Sequence, residues 1–315
     1  MNTSDSTHGT ARREFLRTSA TALGAVLALP LGAMAAGCAT RAAGSASTAS
    51  TMGATTATTA TATASAAPAT RVPGIQLYTV RSLMERDVEG TLTALAKMGY
   101  REIEFAGYFG REPRALRRTL DGLGLTAPSA HIPLDILRGS LGPALDAAAV
   151  LGHQYIVCPY VTEPERNAEG FRRIIDDLGR AGRECKARGM QLAYHNHDFE
   201  FKPLPDGKLP YDLILAGTDA SLVQMELDLY WVTYAGRDPL ALIAADPGRF
   251  SLCHVKDLSR AGGAPHMADV GQGSIDFRTI FSRAQFRHYF VERDDTKDPL
   301  ATARVSAAAL RALLA

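Results

Sequence analysis

From residue 74 to the end of the chain, short apolar runs alternate with helical patterns. Apolar runs of four to eight residues read as buried strands, and apolar positions three and four apart read as helices. The first half predicts strands over 74–79, 101–105, 126–132 and 155–159, with helices over 88–98, 113–123, 141–151 and 167–188. Gly189 is placed to end the last of these. The second half predicts strands over 191–196, 223–228, 250–256 and 287–292, and helices near 212–216, 239–245, 277–284 and 300–314. Eight strand–helix units in about 240 residues match an α/β fold, the (β/α)8 TIM barrel. The rival is a doubly wound open sheet, which needs a Gly-rich phosphate turn after its first strand. Tyr78-Thr79-Val80-Arg81 stands there instead.

The first 72 residues follow a different pattern. Residues 11–17 read Ala-Arg-Arg-Glu-Phe-Leu-Arg, and a modest apolar run follows from Ala20 to Ala36. This resembles a twin-arginine export signal. The run contains Gly24, Pro30 and Gly32 and falls short of a membrane span. Ala35-Ala36-Gly37-Cys38 resembles a lipoprotein cleavage box, with ordinary cleavage near Ala33-Met34-Ala35 as the rival. Residues 1–38 are therefore expected to be a signal peptide, with Cys38 lipidated in the lipoprotein case. Of the 32 residues from Ala39 to Thr70, 27 are Ala, Thr or Ser, so residues 39–72 are expected to be a disordered linker. The barrel is assigned to 73–315, and the protein to the periplasm or another exported location, with membrane contact only through the signal or a lipid.

Charge narrows the field further. The chain of 315 residues carries +1, and residues 1–72 hold five Arg against Asp5 and Glu14. The barrel is thus left with 29 basic and 31 acidic residues. That balance, about −2, opposes a nucleic-acid binder working through a basic surface. Beyond Cys38 only Cys158, Cys185 and Cys253 remain, an odd count that opposes a disulfide framework. Cys158 and Cys253 lie in strand-like runs and are expected as buried free thiols.

Polar residues gather at the predicted strand ends, where a TIM barrel carries its active site. Gln76 lies in the first strand, Glu104 ends the second and His131 the third; His195 and His197 end the fifth. Asp228 ends the sixth, His254, Lys256 and Asp257 the seventh, and Glu292 and Arg293 the eighth. Four of the chain's eight histidines fall in this set, within runs that otherwise exclude charge. A strand-end histidine taken singly is more often structural, but buried imidazoles and carboxylates together need pairing or a metal. His195, Asp228, His254 and Glu292 come from four consecutive strands about 4.8 Å apart, so their heads can meet. Two imidazoles and two carboxylates suit Mn²⁺ first, with Co²⁺, Zn²⁺ and Fe²⁺ as alternatives, and suit Mg²⁺ less. His197 shares the face of His195 and is an alternative ligand. Glu226 is assigned to the outward face, with a structural role.

Residues 73–315 resemble the xylose isomerase-like TIM barrels, the sugar phosphate isomerase/epimerase family. The resemblance rests on residues 74–81 (GIQLYTVR), 194–201 (YHNHDFEF), 225–228 (MELD), 254–257 (HVKD) and Val291-Glu292. It implies a metal-dependent isomerase or epimerase that takes a proton from the carbon beside the metal-bound carbonyl of a ketose or keto-sugar. Family epimerases use two metal-bound glutamates, from the fifth and eighth strands. Glu292 matches the second, whereas His195 stands in place of the first.

On that reading Glu292, or a histidine such as His197, is the base, and Lys256 steadies the enediolate oxygen. Gln76, Glu104, His131, Trp231 and Arg293 bind the substrate. The plainer alternatives are an ion pair of Glu104 with Arg101 or Arg81, a strand-end Lys256–Asp257 pair, loop capping by His131 and helix packing by Trp231. Gly271 and Gly273 mark an anion cradle, a lid or a helix entry, and Ser274 or Asp276 caps the following helix. Loss of a β-leaving group would make the enzyme a keto-glycoside lyase or hydrolase. A non-catalytic periplasmic sugar binder and, more distantly, a DNA-repair endonuclease complete the field.

Overall fold

The computed structural model describes residues 71–315; the predicted signal peptide, Cys38 and nearly all of the linker lie outside the described residues. Eight parallel strands close into a barrel: β1 (Gly74–Gln76), β2 (Glu102–Phe105), β3 (Thr126–His131), β4 (Tyr155–Cys158), β5 (Gln191–His195), β6 (Val223–Asp228), β7 (Phe250–Val255) and β10 (His288–Val291). Closure places β10 against β1, so the expected TIM barrel is the fold observed. Between β7 and β10 a short antiparallel hairpin, β8 (Asp257–Ser259) and β9 (His266–Ala268), occupies what the sequence marked as a Gly-rich loop.

Sequence sets the ends of the helices. Asp87 caps the helix Val88–Met98 by accepting from the Gly90 N–H, and Asn167 does the same for Ala168–Ala187 through the Gly170 N–H. Proline opens the helices Pro113–Leu123, Pro210–Gly217, Pro239–Ala245 and Pro299–Leu314, where its missing N–H costs nothing. Gly189 adopts φ +73° after the longest helix, as its position predicts. The first strand is shorter than expected, because the Gln76 side chain accepts from the Tyr78 N–H and turns Leu77–Val80 into a 3₁₀ helix.

Alternation along each strand sorts side chains to two sides. Met225, Leu227, Cys253, Val255, Tyr289 and Val291 face the helices and join the main core. Tyr155, Val157, Ala193, Leu252 and Phe290 form a separate apolar cluster inside the barrel. Further along β5, β6, β7 and β10, toward their carboxyl ends, the inward positions become His195, Glu226, Asp228, His254, Lys256 and Glu292. The barrel thus has an apolar layer with a polar one over it.

Two irregularities adjust that polar layer. β3 carries an extra residue relative to β2 around Pro128, which has no N–H for the ladder, and Ser129 then pairs with Glu104. β7 carries an extra residue around Ser251, which brings Glu226 level with Leu252. Cys158, Cys185 and Cys253 are buried free thiols. No described helix is long and apolar enough to cross a membrane.

Candidate metal centre

The polar interior has two tiers that share two histidines. In the lower tier Glu104 is held from both sides. Its Oε1 accepts from Gln76 Nε2 at 2.6 Å, and its Oε2 accepts from Ser129 Oγ at 2.5 Å. His254 Nε2 lies 2.7 Å and His131 Nε2 3.1 Å from Glu104 Oε1. Glu226 Oε2 lies 2.7 Å from His131 Nε2, 3.1 Å from His195 Nδ1 and 3.1 Å from His254 Nε2. All seven of these residues are fully buried.

The upper tier uses the opposite nitrogens of the same two rings. His254 Nδ1 lies 2.8 Å from Glu292 Oε2 and 3.9 Å from Asp228 Oδ2. His195 Nε2 lies 3.9 Å from Asp228 Oδ2. The Lys256 ammonium sits 3.0 Å from Asp228, 2.8 Å from Glu292 and 3.1 Å from Asp294. Asp228 divides its two oxygens: Oδ1 accepts from the Trp231 N–H and caps the helix Leu229–Tyr234, while Oδ2 faces the cluster. Asn196 Oδ1 accepts from the Asp228 N–H and anchors the end of β6 to the end of β5.

The electrostatics follow from burial and proximity. Burial acts to raise the Glu104 carboxyl, but the His131 and His254 imidazoles outweigh it and hold the group well below the usual carboxylate range. Burial acts to lower His254, but Glu226, Glu292 and Glu104 outweigh it and lift the ring well above its ordinary value. His131 is lifted in the same way, by Glu104 and Glu226 against burial. Burial raises Asp228 against the pull of Lys256 and His254.

His195, Asp228, His254 and Glu292 offer four ligand atoms that all lie within 4.8 Å of one another. The donor set fits a divalent ion of borderline softness. An ion held there would share the Asp228 and Glu292 carboxylates with the Lys256 ammonium. Among the described residues, His131, His195, Glu226 and His254 form a second cluster of metal-ligand type, and it uses the lower nitrogens.

Several expectations change at this level of detail. Glu226 points into the barrel, not toward the helices: residues 226 and 228 are two apart and share a face. Gln76, Glu104 and His131, expected to bind substrate, are bonded to one another and to the lower tier. The alternative partners of Glu104, Arg81 and Arg101, instead bind backbone carbonyls. Arg293 lies off the inward face, and its guanidinium is held 2.8 Å from both Asp269 and Asp295. Asp294, one position further and 5% exposed, takes the place near Lys256. Sequence reasoning missed it, although its spacing of two from Glu292 was the available signal.

The upper rim is aromatic. The His197 ring lies 4.9 Å from the His195 ring and packs against Phe199, Tyr160 and Trp231. The half-buried Trp231 indole lies 5.5 Å from Lys256 Nζ. Asp257 faces outward, and its carboxylate accepts from the N–H groups of Leu258, Gly271, Gly273 and Ile275. The Gly271 and Gly273 amides therefore serve an internal carboxylate rather than an anion cradle. Asp276, not Ser274, caps the helix Phe277–Arg283.

Glu200, outside the cluster, has a titration that can be tested. Its oxygens accept from Tyr194 Oη at 2.7 Å and from the His197 N–H at 2.8 Å. Burial pushes its carboxyl up to about 7, against both hydrogen bonds. The folded chain therefore keeps a proton that the unfolded chain releases near 4.5. This contribution is full below that value and is lost as pH rises through 7, a change on the order of 3 kcal/mol. Glu200→Gln should accordingly lose less unfolding free energy than the parent between pH 5 and pH 8. Parallel losses in urea titrations would refute the assignment.

Residues 92–313 match the Xylose isomerase-like TIM barrel family. The chain belongs to that family. It is 27% identical over 218 residues to an inosose dehydratase of Geobacillus kaustophilus, a match covering 62% of this chain and 68% of that protein. An inosose dehydratase of Clostridium beijerinckii is 29% identical over 141 residues, 39% of this chain and 45% of its own length. Among solved structures, a sugar phosphate isomerase/epimerase from Parabacteroides distasonis superposes with a TM-score of 0.66 at 26% identity, covering 78% of this chain and 94% of that one. These relatives carry enzyme names, and the names fall in both isomerase/epimerase and dehydratase classes.

Proposed function

We propose that the protein is a metal-dependent enzyme acting on a small keto-polyol or keto-sugar by removing a proton from the carbon beside its carbonyl. The observation that carries this reading is the convergence of His195, Asp228, His254 and Glu292 with Lys256 at the carboxyl ends of β5, β6, β7 and β10. A divalent ion held by those four residues, with Mn²⁺ the first candidate, would supply Lewis acidity to the carbonyl oxygen. Glu292 takes the proton. Lys256, already balanced by Asp228, Glu292 and Asp294, places positive charge where an enolate oxygen develops. Asp294 is a third carboxylate beside Lys256, 3.1 Å from its ammonium. The half-buried Trp231 indole at the rim offers a flat face for the ring of the substrate.

Return of the proton completes an isomerisation or epimerisation. Loss of a β-oxygen completes an elimination. The single base on β10, with His195 replacing a carboxylate on β5, favours elimination over an exchange between two matched carboxylates. The dehydratase names of two relatives support the same choice. Proton NMR in deuterated water, with keto-cyclitols and 3-keto-glycosides as probes, tests the proposal. Release of water or aglycone with an unsaturated product supports elimination, and deuterium gained with the carbon–oxygen bonds intact supports isomerisation. Neither change on any probe would refute the proposal. The paired arginines and the Ala/Thr/Ser-rich stretch support an exported enzyme, which the mass of the mature N-terminus tests.

A further inference from the structure

His195 and His254 each stand between two sets of carboxylates, and they do so in opposite senses. His195 turns Nδ1 down to Glu226 and Nε2 up toward Asp228. His254 turns Nε2 down to Glu226 and Glu104 and Nδ1 up toward Glu292 and Asp228. A neutral imidazole has one N–H and one lone pair, so a ring that binds an ion through one nitrogen keeps its proton on the other. Two ions could occupy both tiers only if each shared ring lost both protons. Glu226 Oε2 lies 3.1 Å from His195 Nδ1 and Glu104 Oε1 lies 2.7 Å from His254 Nε2, so each shared ring has a carboxylate placed to receive its retained proton.

We infer that Glu226 is a positioning residue for the metal centre: it fixes His195 as the Nδ1–H tautomer, while Glu104 fixes His254 as the Nε2–H tautomer, so that both lone pairs face Asp228 and Glu292. The lower cluster is then an orienting layer rather than a second ion site. Three features agree with this order. The lower tier lies deeper along the strands, against the apolar layer that contains Leu252 and Phe290. Its other carboxylate, Glu104, is held by Gln76 and Ser129 with Oε1 2.7 Å from His254 Nε2. The upper tier faces Lys256 and the Trp231 rim, the side from which a substrate reaches the strand ends. A carboxylate that receives the N–H of a metal-bound imidazole fixes ring orientation and raises ligand basicity, and its loss typically lowers metal affinity by about 10–100-fold.

This inference rests on the metal-site reading above, and the experiment separates the two. Zn²⁺ is the probe, titrated into the full-length chain against a chromophoric chelator, with ¹⁵N-histidine spectra of the zinc-loaded protein. The expected spectra show zinc on His195 Nε2 and His254 Nδ1, with protons on His195 Nδ1 and His254 Nε2. Glu226→Gln keeps the shape of the side chain but presents N–H groups where an anion stood, and should weaken zinc binding by about 10–100-fold. Zinc on His195 Nδ1 and His254 Nε2 would overturn the inference and make the lower tier the ion site. Unchanged zinc affinity in Glu226→Gln would overturn it too, because a merely structural role lowers thermal stability without touching the affinity of folded protein. Absence of zinc binding by the parent chain would overturn the metal-site reading and this inference together. Should the variant fail to fold, the parent spectra alone decide.

Discussion

Glu292→Gln is expected to lower turnover by about three orders of magnitude while leaving the barrel folded. The substitution preserves the side-chain shape beside His254 Nδ1 and Lys256 Nζ, both 2.8 Å from the carboxylate. It removes the proton acceptor and one anionic ligand at once. Loss on the scale of general-base catalysis therefore combines with weaker metal loading. The check is turnover on a keto-sugar identified by the deuterium screen, measured at saturating metal, alongside circular dichroism. Turnover at the parent rate would remove Glu292 from the base role. Reduced turnover fully restored by excess metal would leave it a ligand only.

His254→Ala should have the largest combined effect on metal binding and stability. The His254 nitrogens contact Glu104 and Glu226 on one side and Glu292 on the other. Its removal leaves three buried carboxylates short of a partner, and breaking a buried charge network on one side costs about 3–5 kcal/mol. The variant should melt well below the parent. Added metal at a hundred times the parent's Kd should stabilise the parent by about 2.7 kcal/mol and the variant hardly at all. Thermal scans with and without metal, paired with elemental analysis, provide the measurement. Equal metal content in the two proteins would strike His254 from the ligand set.

The strands and helices were legible because their signals are local. The helices over 88–98, 113–123, 141–151 and 239–245 lie where periodicity places them. Their ends carry local signals too: Asp87 and Asp238 cap the first and last, and Pro113 opens the second. Two of the shortest helices were not legible. Leu134–Gly139 and Leu229–Tyr234 span six residues each, too few turns for an apolar stripe to repeat. The hairpin of β8 and β9 was hidden for another reason. It is organised by the Asp257 carboxylate, which accepts from amides as far as Ile275, and no pattern of apolar residues encodes such a contact.

The site divides in the same way. Acids and histidines at strand ends were visible one strand at a time, and alternation indicated which of them face inward. That rule, applied through to the end of each run, also covers Glu226 and Asp294, whose spacing of two from Asp228 and Glu292 assigns both to the interior. The two-tier arrangement was not available from spacing. It depends on the register between β5, β6, β7 and β10, including the extra residue of β7 near Ser251.

By itself, the sequence determined the alternation of strands and helices, the barrel it implies, and the concentration of imidazole and carboxylate at one end of the strands. Periodicity and residue type act within a few residues, so a linear reading recovers them. Only the tertiary structure decided which nitrogen of His195 and His254 faces which carboxylate, that Gln76 and Ser129 hold Glu104, and that Lys256 lies among Asp228, Glu292 and Asp294. Those pairings join residues from strands far apart in the chain. Barrel closure and the stagger of neighbouring strands set their distances, and neither is written in any local stretch of sequence.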